Sequence, residues 1–118
     1  MGESFKDLVV WQRAIELTAA VYKLTSTFPG SERFGLTNQL RRASVSVASN
    51  IAEGYGRATN GEYVQFLGHA RGSICEVEIQ LVLSQVLTFG SNQCRQEAAS
   101  LSDEVGRMLV VMMRKLRK

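Results

Sequence analysis

The chain is poor in the residues that interrupt helices and build reactive centres. Its 118 residues hold one proline, one histidine and two cysteines. An interior proline costs a helix about 3 kcal/mol. With only Pro29 present, long stretches are free to be helical. One histidine cannot supply a di-metal carboxylate bundle site, which needs Glu-x-x-His on two helices. His69 also has Phe66 rather than glutamate at that spacing. Two cysteines do not make a disulfide framework. Cys75 and Cys94 each fall on an apolar helical position, so both are expected as buried free thiols in a reducing cytosol.

No run reaches the ~18 consecutive apolar residues of a membrane span. The start, Met1-Gly2-Glu3-Ser4-Phe5-Lys6, lacks the basic-then-apolar shape of a secretion signal. Lys6 stands where a myristoylation signal has Ser or Thr. The expected location is cytoplasmic, with no membrane partner. Hydrophobic residues at 45% and charged residues at 21% are ordinary globular composition. One domain over residues 1–118 is expected.

Four segments carry apolar residues at alternating spacings of three and four, the period of an amphipathic helix. The first is predicted over 7–28, with Val10, Ala14, Leu17, Val21, Leu24 and Phe28 on one face and Trp11, Ile15 and Tyr22 widening it. Pro29-Gly30 stops it. The second, 35–53, carries Leu36, Leu40, Ala43, Val47 and Ile51 among many small residues, with Gly54 placed as a left-handed cap. The third, 60–88, opens with Thr59 and Glu62 at capping-box spacing and buries Tyr63, Leu67, Ala70, Ile74, Val77 and Leu81. Gly68 and Gly72 inside it cost about 1 kcal/mol each relative to alanine, which close backbone packing would offset. The fourth, 92–116, has the stripe Cys94, Ala98, Leu101, Val105, Met108, Met112 and Leu116. Short links make consecutive helices antiparallel neighbours, so the expected fold is all-α, an up-down-up-down four-helix bundle.

Residues 79–87 and 108–113 are too apolar for a helix with one buried face. They are read either as a tightly wrapped bundle with some exposed apolar groups or as a second buried face between subunits.

No reactive constellation emerges. Gly54-Tyr55-Gly56 has Thr59 where a dinucleotide loop needs its third glycine, and it follows a helix rather than a strand. No phosphate loop, zinc-protease motif or nucleophile elbow is present. The chain is expected to be no enzyme and to need no cofactor or metal. The net charge of +3 permits a polyanionic partner without demanding one. The predicted topology gathers Lys6, Arg57, Arg114, Lys115, Arg117 and Lys118 at one end, diluted by Glu3, Asp7, Glu53 and Glu62. Arg57, Arg114, Lys115, Arg117 and Lys118 are the candidate RNA- or DNA-binding residues. Cations at a helix C-terminus also simply compensate its dipole. Arg41-Arg42 lie mid-helix near small residues, and Arg42, Ser46 and Glu53 can share a face, as structural ion pairs or as a polar seam between subunits.

Four stretches carry a resemblance. They are Asp7-Leu8-Val9-Val10-Trp11-Gln12; Phe34-Gly35-Leu36 with Gln39-Leu40-Arg41-Arg42-Ala43; Ser49-Asn50-Ile51-Ala52-Glu53-Gly54-Tyr55-Gly56-Arg57; and Ala70-Arg71-Gly72-Ser73 with Glu76. Together they resemble the bacterial four-helix-bundle proteins encoded in intervening sequences of 23S ribosomal RNA genes. Ala48 departs from the pattern, which often has proline there. The resemblance implies an all-α bundle, commonly a ring-like homopentamer. It is more distant to the accessory variability proteins of diversity-generating retroelements, which are basic pentamers that bind nucleic acid and a reverse transcriptase. It implies no catalytic residues. Two functions are therefore expected as alternatives: an oligomeric bundle touching RNA or DNA through a repeated basic end, or a protein-binding adaptor or scaffold with no nucleic-acid role.

Overall fold

The computed structural model describes residues 4–117. Among them are four α-helices and no strand: α1 Val9–Thr25, α2 Leu36–Tyr55, α3 Asn60–Val86 and α4 Asn92–Leu116. Helices α1 and α2 each pack on two neighbours, α1 on α2 and α4, and α2 on α1 and α3. Helices α3 and α4 close the square, while α1 and α3, like α2 and α4, sit on its diagonals. This is the expected antiparallel four-helix bundle. Its long dimension of 44 Å matches the ~40 Å length of a 27-residue helix such as α3.

The buried faces of α1 and α2 are those expected. Val10, Ala14, Leu17, Val21, Leu24 and Phe28 are buried, as are Leu36, Leu40, Ala43, Val47 and Ile51. Ile15 and Tyr22, expected to widen the α1 stripe, are exposed. In α3 the core holds Leu67, Ala70, Ile74, Val77 and Leu81, with Tyr63 half-buried beside it. In α4 the buried apolar line, with Ser102, is Ala98, Val105, Leu109 and Met113, one position on from much of the expected stripe. Leu101, Met108, Met112 and Leu116 flank it, half-buried. A segment apolar on every side has no phase of its own, so packing against α1 and α3 sets its rotation.

The helix ends differ from expectation for local reasons. Ser4 and Asp7 close a separate 3-10 turn, Phe5–Asp7, as a capping box, and Leu8 is extended, so α1 begins at Val9. It ends at Thr25 because hydroxyls take over its last carbonyls: Thr25 Oγ1 donates to Val21 O, Ser26 Oγ to Lys23 O and Thr27 Oγ1 to Leu24 O. Gly54 is not a left-handed cap. It is buried within α2, where an added Cβ would lie 2.9 Å from Phe66 Cβ and 3.0 Å from Tyr63 Cδ1, so its missing side chain lets α3 approach. Packing explains neither Gly68, whose Cβ would make only an ordinary contact, nor Gly72, whose Cβ would meet nothing within 4 Å.

The α3–α4 turn is built from side chain and backbone together. Phe89 N donates to Ser84 O at 2.8 Å and Thr88 N to Gln85 O at 3.1 Å, the paired bonds of a Schellman motif. Thr88 occupies its left-handed position at φ 59°. Gly90, at φ 77°, passes so close to α1 that a Cβ would lie 2.6 Å from Leu24 Cδ1. Ser91 then caps α4 by accepting from Cys94 N. Arg95 reaches back over this turn, buried to 7% exposure. Its guanidinium donates to Ser84 Oγ, Asn92 Oδ1 and the carbonyls of Phe89 and Gly90.

Candidate nucleic-acid interface

The topology brings the start of α1, the α2–α3 link and the end of α4 to one end of the bundle. Lys6, Arg57, Arg114, Lys115 and Arg117 therefore share that end, and all are exposed. Glu3 and Lys118 lie outside the described residues. The cations are not equivalent. Arg57 Nη2 lies 3.2 Å from Glu53 Oε2 one turn earlier, and its guanidinium stacks over Phe66 with 4.5 Å to the ring centroid. It is thus partly neutralised and held against α3. Arg114, Lys115 and Arg117 have no carboxylate within 4.0 Å among the described residues. They project from the last turn of α4, where they also compensate the helix dipole.

The basic surface continues up the α3–α4 groove. A cleft of about 430 Å³ there is bordered by Arg71, Arg107 and Arg114, with Glu78 and Asp103. Arg107 is spent on Asp103 at 2.8 Å. Cys75 borders the same cleft and is exposed, contrary to the expected burial; Cys94 is half-buried. The apolar phase of α3 runs through Ile74, and its neighbour Cys75 is turned outward.

Beside the basic end, Tyr55 and Tyr63 meet edge to face at 6.2 Å. Burial, with Tyr55 alongside, pushes the Tyr63 phenol above its ordinary pKa. His69 is exposed and packs edge-on against Phe66 at 5.9 Å. No group of three His, Cys, Asp or Glu among the described residues is placed to hold a metal ion. None of their helices is long and apolar enough to cross a membrane.

The mid-helix polar residues separate. Ser46 bonds across to α3, its Oγ accepting from Ser73 Oγ at 2.9 Å, and Asn50 Nδ2 donates to Ser46. Glu53 belongs to Arg57, and Arg42 stays exposed without an ion pair among the described residues. The structure also places two arginines in roles the sequence did not signal. Arg41 stacks on Tyr22 at 4.3 Å, and Arg95 holds the α3–α4 turn. The one hint for Arg95 was its helical spacing of three from core residue Ala98.

A second surface is apolar. Ile79, Val82, Leu83, Val86 and Leu87 run along the outer side of α3, each 45% exposed or more. Between α1 and α2, Ile15 and Val45 are exposed beside Phe5 and Trp11, around a shallow hollow of about 280 Å³.

The fold places the chain in the class of small all-α four-helix bundles. Within that class the family can be stated: the family model for the 23S rRNA-intervening sequence protein matches residues 6–111, and the chain belongs to that family. A solved structure of a protein of unknown function from the S23 ribosomal protein family of Bacteroides thetaiotaomicron VPI-5482 is similar at 19% identity, with TM-score 0.79 over 89% of this chain and 98% of that one. That likeness shows the shared fold. No curated protein matches the chain.

Proposed function

We propose that the chain is a non-enzymatic bundle that works as one subunit of a homo-oligomer and contacts RNA, or another nucleic acid, through its basic end. The observation that carries this reading is the set Arg114, Lys115 and Arg117, exposed together at one end with no carboxylate to neutralise them among the described residues. One such set binds phosphates weakly. Repeated around a ring, it gains affinity through multivalency without any new kind of contact. The apolar faces supply the means of repetition. The α3 stripe and the hollow between α1 and α2 around Ile15 and Val45 are different surfaces of the bundle. A contact between unlike patches is head-to-tail, and such contacts close into rings when the rotation allows. The family resemblance implies five subunits.

Gel-shift titration against structured RNA at several salt concentrations tests the reading. The full chain binds at low salt with a steep salt slope, and changing Arg114, Lys115 and Arg117 to Gln flattens that slope by about 0.7–0.9 for each phosphate no longer neutralised. Absence of binding at low salt overturns it. The exposed α3 stripe favours a second reading, a protein-binding adaptor or scaffold. Under it, the same triple variant leaves capture of a protein partner intact.

A further inference from the structure

Arg41 is immobilised while its most useful edge stays unspent. It lies in the second turn of α2, half-buried. Its Nε donates to Thr25 Oγ1 at 2.8 Å. That hydroxyl spends its own hydrogen on Val21 O, also at 2.8 Å, which leaves its lone pairs turned toward the arginine. The guanidinium lies over the Tyr22 ring, 4.3 Å from the centroid. A hydrogen bond and a stacking contact together fix both the plane and the direction of the group. Neither Nη nitrogen has a hydrogen-bond partner or a carboxylate within 4.0 Å among the described residues.

Arg41 borders a hollow of about 450 Å³ lined also by Tyr22, Asn38, Arg42, Val45 and Ser46. None of the six is acidic. Arg42 is exposed and also unpaired; Glu76 lies across the adjoining α2–α3 groove from it without forming an ion pair. An arginine on a protein surface is usually mobile in water or tied to a carboxylate. Here the fold has already ordered the side chain and supplied no anion. Parallel Nη donors match the spacing of two phosphate oxygens, and the entropy of fixing them is met on folding rather than on binding.

We propose that Arg41 and Arg42 form a phosphate-binding site on the α1–α2 face, separate from the basic end, that takes a phosphodiester of a nucleic acid strand. Arg41 supplies the directed fork and Arg42 a second charge. Thr25 and Tyr22 act as positioning residues. The site does not depend on the basic end being an interface. A free phosphomonoester presents the same oxygens, so the test separates the two sources.

The test is anisotropy of a labelled single-stranded RNA oligonucleotide at low salt, competed by the unlabelled oligonucleotide, by a mononucleotide or by inorganic phosphate. The full chain is compared with Arg42→Gln, Arg41→Lys and Thr25→Val. Circular dichroism and light scattering on each variant report fold and mass. Arg42→Gln is expected to weaken RNA binding about tenfold and to lower the salt slope by about one. Thr25→Val keeps every charge but frees Arg41, and weakens binding several-fold; a site made by net charge alone would not respond. Competition only by oligonucleotide supports the phosphodiester. Competition at equal strength by mononucleotide or phosphate overturns that assignment in favour of a free phosphate. Unchanged affinity in all three variants overturns the site, as does a change in mass with unchanged RNA affinity, which makes the face a subunit contact. Repeating the series in the Arg114, Lys115 and Arg117 triple variant separates the two sites: loss of binding there with the Arg42→Gln response absent in the parent leaves only the basic end.

Discussion

Arg95 Nε donates to Ser84 Oγ at 2.9 Å, joining the first turn of α4 to the last turn of α3. The guanidinium faces the carbonyls of Phe89 and Gly90, so a buried cation sits at the negative end of the α3 dipole with neutral acceptors in place of a carboxylate. Replacing it with methionine keeps much of the volume and orphans both carbonyls. Arg95→Met is expected to lower stability by about 2–4 kcal/mol, read as a fall in the urea midpoint. A change below about 0.5 kcal/mol, the level of an ordinary surface substitution, would show that the network contributes little.

Thr88 holds the left-handed position of the Schellman motif, where glycine is usual and a β-branched residue is strained. Its hydroxyl partly compensates by donating to Leu87 O at 2.6 Å. Thr88→Gly is expected to raise stability by about 0.5–1 kcal/mol, the relief of strain less the entropy glycine adds to the unfolded chain. A lower melting temperature would mean the local hydroxyl bond outweighs the strain.

Tyr63 is an acid whose folded pKa lies above its unfolded value of about 10. The folded state therefore favours the neutral phenol. The resulting stability is fully present below about pH 10 and is lost as pH rises through the folded value. Absorbance near 295 nm during an alkaline titration should show a phenol that ionises above the ordinary tyrosine value, and Tyr63→Phe should remove that step. A titration unchanged by Tyr63→Phe would contradict the burial effect.

Much of the bundle was legible in sequence because the apolar spacing in α1, in α2 and in α3 before residue 79 has one clear phase. Val10 through Phe28 and Leu36 through Ile51 are buried as their spacing requires. The α4 phase was not legible, since Met108–Met113 offers a buried position at any rotation. Helix ends shifted where side chains compete with the backbone, as Thr25, Ser26 and Thr27 do. The basic end followed from topology, which fixes which residues share an end. Its internal pairing, Arg57 with Glu53, follows from i,i+4 spacing but not its stack on Phe66. Arg41 and Tyr22 come together only through the packing of α1 on α2, nineteen positions apart in sequence. No local pattern announces such a pair.

Assembly is central to the proposed function, because a single basic end or a single phosphate fork would bind weakly. The α3 face, with Ile79 and Val86 exposed at 62% and 70%, is where assembly is most directly tested. Light scattering coupled to size exclusion, at micromolar concentration, gives the mass of the full chain and of an Ile79→Lys, Val86→Lys variant. The expected result is a wild-type mass several times 13.1 kDa and a helical variant near 13.1 kDa. A wild-type protein that elutes at 13.1 kDa throughout would contradict it.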